Sequence, residues 1–461
     1  MMKTNEGGTQ YEHSLNHALE FFSKAGSQFK KRANFYSNAE SMLSLFQKSW
    51  IVDEELTMKI LLYMRDCRGG AGNRSGTRDC YAWLAANKPE WLAANIGWLP
   101  LVGRWDDLKS LFGTNAEKYA VELWAEALKE RDVLAAKWAD RSDVQLRKYL
   151  GMTIGDFRRF LAKIRKEHIV EHKMCSGQWN EINYEHIPSV AMARYTRAFG
   201  KNDEERFMKY KESLKKGEAK VHANVLFPHD CVRTVHSGDS EIANAQFNAL
   251  PNYIEDTDEK IICISDTSGS MNTIIGGIIR AMDVSQALAL YCSAKMSEKS
   301  PFYKKFIGFC SEGRFKDWNG MTFSEAISNR SVFDRAAGGT RIDKALMLLL
   351  ETAKFFKLPQ ELMPTMLLIL SDMQFHSGVE GKGAEVEKCM TIWNESGYET
   401  PKIVYWNLAA YPGSPDTAFN ENIALISGFS PSILKAILTA KDFSPLGIMM
   451  EALKKYDIVK P

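Results

Sequence analysis

The hydrophobic pattern changes period near residue 258, and that change restricts the fold more than any single motif does. From about Leu15 to about Tyr210 the apolar residues recur every three or four positions. In "EELTMKILLYMRDC" Leu56, Ile60, Tyr63, Met64 and Cys67 fall on one face, and "KYAVELWAEALKERDVLAAKW" repeats the pattern with Trp124, Leu128, Leu134 and Trp138. Such spacing marks amphipathic helices. The breaks between them ("RGGAGNRSG", "NKPE", "WLPLVGRWDD", "YLGMTIGD") are rich in Gly and Pro, as helix–turn–helix connections require. "WLAAN" recurs at Trp83 and Trp91, an offset too short for a solenoid repeat. Helices without strands predict an all-helical, HEAT-like or α-solenoid-like domain over 1–250.

Beyond Asp258 short apolar runs end at polar or turn residues: "KIICISD", "FYKKFIGFC", "TMLLILSD", "PKIVYWNL" and "NIALISGF". Helical stretches separate them, among them "RIDKALMLLLETAKFF" and "SPSILKAILTA". Strands apolar on both faces, alternating with helices, form a mostly parallel sheet covered on both sides. Residues 258–461 are thus expected to be a doubly wound, Rossmann-like α/β domain. The polar stretch 211–257 reads as the junction, expected to be extended. A chain of 461 residues has ample length for two such domains.

Two of the strands end in Asp: "ICISD" at Asp266 and "LILSD" at Asp372. Ligands of open α/β sheets bind at these carboxyl ends. In "DTSGS" alternate residues point the same way, which gathers Asp266, Ser268 and Ser270, while Gly269 lets the chain turn. Three converging oxygens with one formal charge suit a hard cation that keeps some of its waters, and Mg²⁺ fits best. In "AAGGTRID" Thr340 precedes an apolar helix and offers a further hydroxyl. Competing readings fit less well. "DTSG" differs from the aspartic-protease "DTG" by a Ser, and its flanks are α/β. A G-x-S-x-G elbow and a GK[ST] phosphate loop are both absent. A simple helix cap would leave the agreement of three loops to chance.

These residues resemble the metal-ion-dependent adhesion site (MIDAS) of von Willebrand factor A (vWA) domains, over roughly 258–461. The resemblance implies that Asp266, Ser268 and Ser270 contact Mg²⁺ or another divalent cation. It implies that Thr340 and Asp372 bind directly or through water, and that one position stays open for a partner's acidic residue. All five residues are in place.

The helical half carries the excess of positive charge: residues 1–250 hold 37 Lys and Arg against 32 Asp and Glu, the remainder 22 against 25. Arg65, Arg68, Arg74 and Arg78 crowd "RDCRGGAGNRSGTRD", either paired with Asp66 and Asp79 or open to phosphates. "GAGNRSG" follows a helix, not the strand that a dinucleotide fingerprint needs. Between Arg141 and Lys173 nine bases face four acids, and Arg147, Lys148, Arg158, Arg159, Lys163, Arg165 and Lys166 are the phosphate-contact candidates. Tyr149, Phe157, Phe160, Trp179, Tyr184 and Tyr195 lie nearby for stacking. His168 and His172 stand four apart, yet lack the Glu of an H-E-x-x-H site.

"RDCRGGAGNR", "LPLVGRWDDL" and "LRKYLGMTIGDFRRFLAKIR" resemble a family that joins a helical region to a vWA domain. The arrangement is similar to that of Ro autoantigen (TROVE) proteins, in which a basic ring of HEAT-like repeats binds RNA. The resemblance implies a non-enzymatic ribonucleoprotein component that binds a small or structured RNA, with the metal site holding an acidic partner or closing the ring. A metal-dependent adaptor without nucleic acid, with an ATPase among its partners, is the alternative expectation. Eight scattered cysteines without a CxxC pair, no signal core and no long apolar run lead us to expect a cytoplasmic chain with no membrane partner.

Overall fold

A computed structural model describes the chain except residues 27–39, 167–168, 222, 224–225, 255–256, 277–278, 335–336, 410, 412 and 419. The predicted change of period is a change of architecture. Helices fill the first half, and a six-stranded sheet organises the second. Local chemistry starts the helices as expected. Asp53 caps Glu54–Arg65 by accepting from the Leu56 N–H at 2.8 Å, and Thr153 caps Ile154–Arg165 in the same way.

The strands, in chain order, are β1 Met2–Lys3, β2 Thr9–Gln10, β3 Ile261–Asp266, β4 Ile274–Gly276, β5 Ile279–Arg280, β6 Lys305–Phe309, β7 Gly313–Asp317, β8 Met366–Ser371, β9 Lys402–Asn407 and β10 Ile423–Ser427. The main sheet runs β10-β9-β8-β3-β6-β7, and β7 alone is antiparallel to its neighbour. Every residue of β3 and β8 is buried, as their unbroken apolar runs require. The charged edge strand β7 turns Lys316 inward and neutralises it with Asp334 at 2.8 Å. From β3 the chain steps outward one way to β6 and β7, then the other way through β8, β9 and β10. The winding therefore reverses between β3 and β8, where ligands of doubly wound sheets bind. Across one face lies the helix Ala281–Lys295, buried on all sides from Ala281 to Ser293.

Residues 211–257 depart from the expected extended junction. They contain the helices Pro228–His236 and Ser240–Asn248, which pack on the sheet half. Phe247 stacks on Phe323 with ring centroids 4.0 Å apart. Pro228 at the first helical position was the local sign of a helix that the polar composition masked.

The two halves also exchange their ends. The β1–β2 hairpin lies on the loop after β8, and the helix His17–Lys24 packs against β10. In return Lys455 and Tyr456 reach back to Asp66, at 2.7 and 2.9 Å. One continuous apolar core spans both halves, with a smaller one around Tyr184, Phe199, Phe207 and Tyr210. The helix His17–Lys24 packs on the helices Met42–Val52 and Glu54–Arg65 as well as on β10, and only the hairpin before it sits wholly on the sheet half. A hairpin of two-residue strands buries too little to hold itself together and borrows the sheet half's surface.

Candidate metal centre

Three loops meet at the carboxyl ends of β3 and β8. The Gly269 N–H donates to the Gly338 carbonyl at 3.1 Å, drawing the loop of Thr340 against "DTSGS". The Ser371 hydroxyl donates to Asp266 Oδ2 at 2.5 Å and ties the end of β8 to the end of β3. The Ser268 N–H donates to Asp266 Oδ1 at 2.9 Å, and the Ser268 and Ser270 hydroxyl oxygens lie 3.1 Å apart. Thr267 points away and donates to the Phe309 carbonyl, the alternation the sequence predicts. Asp266, Ser268, Ser270 and Asp372 come together, the loop that carries Thr340 lies against them through Gly338, and Asp266, Ser268, Thr340 and Asp372 are buried.

The pair is only partly compensated: hydrogen bonds from Ser371 and Ser268 lower Asp266, and those from Ser270 and the Gln374 N–H lower Asp372, but burial outweighs them. Burial pushes the Asp266 carboxyl up to about 6. Burial, and then the charge of Asp266, pushes Asp372 up to about 7. Asp372 Oδ2 is buried without a hydrogen-bond partner. Neither carboxylate has a Lys or Arg bridge among the described residues, whereas buried Asp107 and Asp283 do. Two buried carboxylates beside hydroxyls, one with an orphaned oxygen, supply what a hard divalent cation needs: oxygen donors and unbalanced negative charge. Among the described residues no three His, Cys, Asp or Glu side chains gather as metal ligands, so hydroxyls must complete any set formed here.

The sequence reading missed the rim of this site. His376 Nδ1 accepts from the Thr340 N–H, and the His376 N–H donates to the Thr340 carbonyl, both at 2.8 Å. On its other side His376 Nε2 lies 2.9 Å from Glu6 Oε2 in the N-terminal hairpin. Ser371 had a legible sign, the shared "SD" ending of the two strands. Glu6 had none.

The basic candidates separate into two groups. Arg65 is buried and cannot meet a phosphate: its Nε and Nη2 donate to Asp107 Oδ2 at 2.8 and 2.6 Å. Arg78 pairs with Asp107 at 2.9 Å, and Arg74 pairs with Asp106. The expected partners Asp66 and Asp79 are replaced by the "WDD" acids, because packing brings residue 107 beneath the Gly-rich loop. Arg68 donates to the Leu101 carbonyl at 2.8 Å and stays exposed. Arg165 is spent on the carbonyls of Ala136 and Ala139, and Arg147 is half-buried. Lys148, Arg158, Arg159, Lys163 and Lys166 are exposed, Arg159 in a pair with Asp156 at 2.6 Å; Tyr149 is exposed with Lys129 over its ring, whereas Phe157 and Tyr184 are core. His168 lies outside the described residues, and His172 lies 3.4 Å from the Ser176 hydroxyl.

No helix among the described residues is long and apolar enough to cross a membrane. The chain is similar to the uncharacterized protein L728 of Acanthamoeba polyphaga mimivirus, with 25% identity over 517 residues, covering 98% of this chain and 87% of that one. A family model described as domain of unknown function DUF7788 matches residues 260–456, the sheet half with the loops of the candidate site. The model of domain of unknown function DUF2828 matches 4–122 and 117–263, more than half of the sequence, and the chain belongs to that DUF2828 family.

Proposed function

We propose that this protein is a non-enzymatic, metal-dependent binding protein whose sheet half is a vWA-type domain. Asp266, Ser268, Ser270, Thr340 and Asp372 hold Mg²⁺, and the cation grips a carboxylate. The observation that carries this reading is the buried pair Asp266 and Asp372, with an orphaned oxygen and, among the described residues, no cationic side chain bridged to either. The strand order and the antiparallel edge strand β7 support it, because they set the pair at the switch point of the sheet. The cation would supply Lewis acidity and a point of attachment. This chain's residues orient it: Ser371 and the Ser268 N–H fix Asp266, and His376 fixes the backbone of Thr340. Isothermal titration of the full chain with Mg²⁺ tests the reading. Binding by wild type and its loss in Asp266→Ala are expected, and a wild type that takes up no divalent cation refutes it.

RNA binding of the Ro-like kind is a second reading, favoured by the exposed bases of the helix Ile154–Arg165 and by Lys148 beside Tyr149. Arg65, Arg74, Arg78 and Arg165 take no part in it, being held by carboxylates or carbonyls. Affinity for a structured RNA should then fall steeply with salt. Salt-insensitive association by filter binding would exclude it.

A further inference from the structure

Of the four arginines in "RDCRGGAGNRSGTRD", Arg68 alone has no carboxylate partner among the described residues. Its Nη1 rests on the Leu101 carbonyl, and the rest of the guanidinium is left for something else. Arg68 and Leu101 line a cavity of about 470 Å³ where the helical half meets the C-terminal segment. Three aromatic side chains share that lining: Trp98 from the helical half, Tyr253 from the junction and Tyr456 from the C-terminal segment.

The other polar groups of the walls are already engaged. Asp66 Oδ2 accepts from Lys455 Nζ at 2.7 Å and from the Tyr456 hydroxyl at 2.9 Å, and Asp66 Oδ1 accepts the N–H groups of Arg68 and Gly69 at 2.9 and 3.0 Å. The Trp98 indole N–H donates to the Asp457 carbonyl at 2.9 Å, and its ring meets Tyr456 edge-on with centroids 6.1 Å apart. Lys455 packs so tightly on the loop that a Cβ on Gly69 would lie 2.3 Å from its Nζ. The cavity is therefore shaped in advance, which lowers the cost of binding.

Its chemistry is specific. Arg68 and Lys455 stand against Asp66 alone, so one positive charge is unmatched. Water would satisfy a lone guanidinium, but the aromatic walls beside it, with exposed Leu101 at the rim, favour a ligand that brings an apolar ring with its charge. A phosphate monoester carries close to two charges and a carboxylate one, and one is what the cavity lacks.

We infer that this cavity binds a small aromatic carboxylate, with the carboxylate on Arg68 and the ring among Trp98, Tyr253 and Tyr456. The ligand would join the helical half to the C-terminal segment, so it should stabilise the whole chain. The site is separate from the metal centre and from the basic helix Ile154–Arg165.

Indole-3-propionate and 1-naphthoate serve as probes, titrated calorimetrically into the full chain. Wild type should bind at least one of them with a Kd below about 1 mM and show a raised melting temperature. Arg68→Gln, which gives up one exposed contact and should fold, should bind at least tenfold more weakly, and Arg68→Lys should recover part of the loss. The neutral amide of the bound probe should bind wild type as weakly as the acid binds Arg68→Gln. Octanoate, a carboxylate without a ring, should also bind at least tenfold more weakly. A wild type that takes up neither probe refutes the inference, as does an Arg68→Gln protein that matches wild type. Equal affinity for octanoate would overturn the assignment of an aromatic ligand.

Discussion

Replacing Asp372 by Asn should make the metal-free protein more stable and deprive it of its response to Mg²⁺. The carboxyl is held near 7 instead of its ordinary 3.8, by burial and by the charge of Asp266. At about 1.4 kcal/mol per tenfold change, keeping it ionised at pH 8 costs roughly 4 kcal/mol. Asn removes that cost with little change of shape and can still accept the Gln374 N–H at 3.2 Å. Its amide would occupy the place of the orphaned Oδ2, and an unsatisfied donor there costs about 1–3 kcal/mol. A net gain of about 1–3 kcal/mol is expected in EDTA at pH 8, read from chemical denaturation. Adding Mg²⁺ at a hundred times its Kd should stabilise wild type by about 2.7 kcal/mol and leave the variant unmoved. The ranking of the two proteins should shrink or reverse between the two buffers. A variant less stable than wild type in EDTA, or stabilised equally by Mg²⁺, would refute the argument that the pair is strained for want of a cation.

Other expectations follow from the same geometry. Because both carboxyls are raised in the folded state, the stability they contribute is full below about pH 4 and is lost as pH rises through about 6 to 7. Denaturation midpoints in EDTA should therefore fall between pH 5 and 8, and Mg²⁺ should flatten that slope. Asp107→Ala strands Arg65 as a buried, unpaired charge and should cost about 3–5 kcal/mol in urea unfolding, a loss that Asp156→Ala on an exposed pair should not show. Charge reversal at Arg158, Arg159 and Lys163 should leave stability within about 0.5 kcal/mol. If the RNA reading holds, the same variant should lower the salt slope of RNA binding in filter titrations.

The period of the apolar residues was enough to separate helices from sheet, because each element must bury one face or two and its sequence repeats accordingly. The same local logic exposed Asp266, Ser268 and Ser270, whose spacing acts within one strand and turn, and the parallel "SD" at the end of β8. What the sequence concealed is pairing at a distance. Asp107 takes Arg65 from 42 residues away, converting supposed phosphate contacts into a buried ionic joint. Glu6 meets His376 across 370 positions, and nothing periodic in "NEGG" announces it. Burial depends on which elements pack together, and a charge is free or neutralised according to that packing. Residue spacing alone could therefore name the oxygens of the site. Only the tertiary structure decided that the two carboxylates are buried, have no Lys or Arg bridge among the described residues, and feel the charge of the chain's own Glu6.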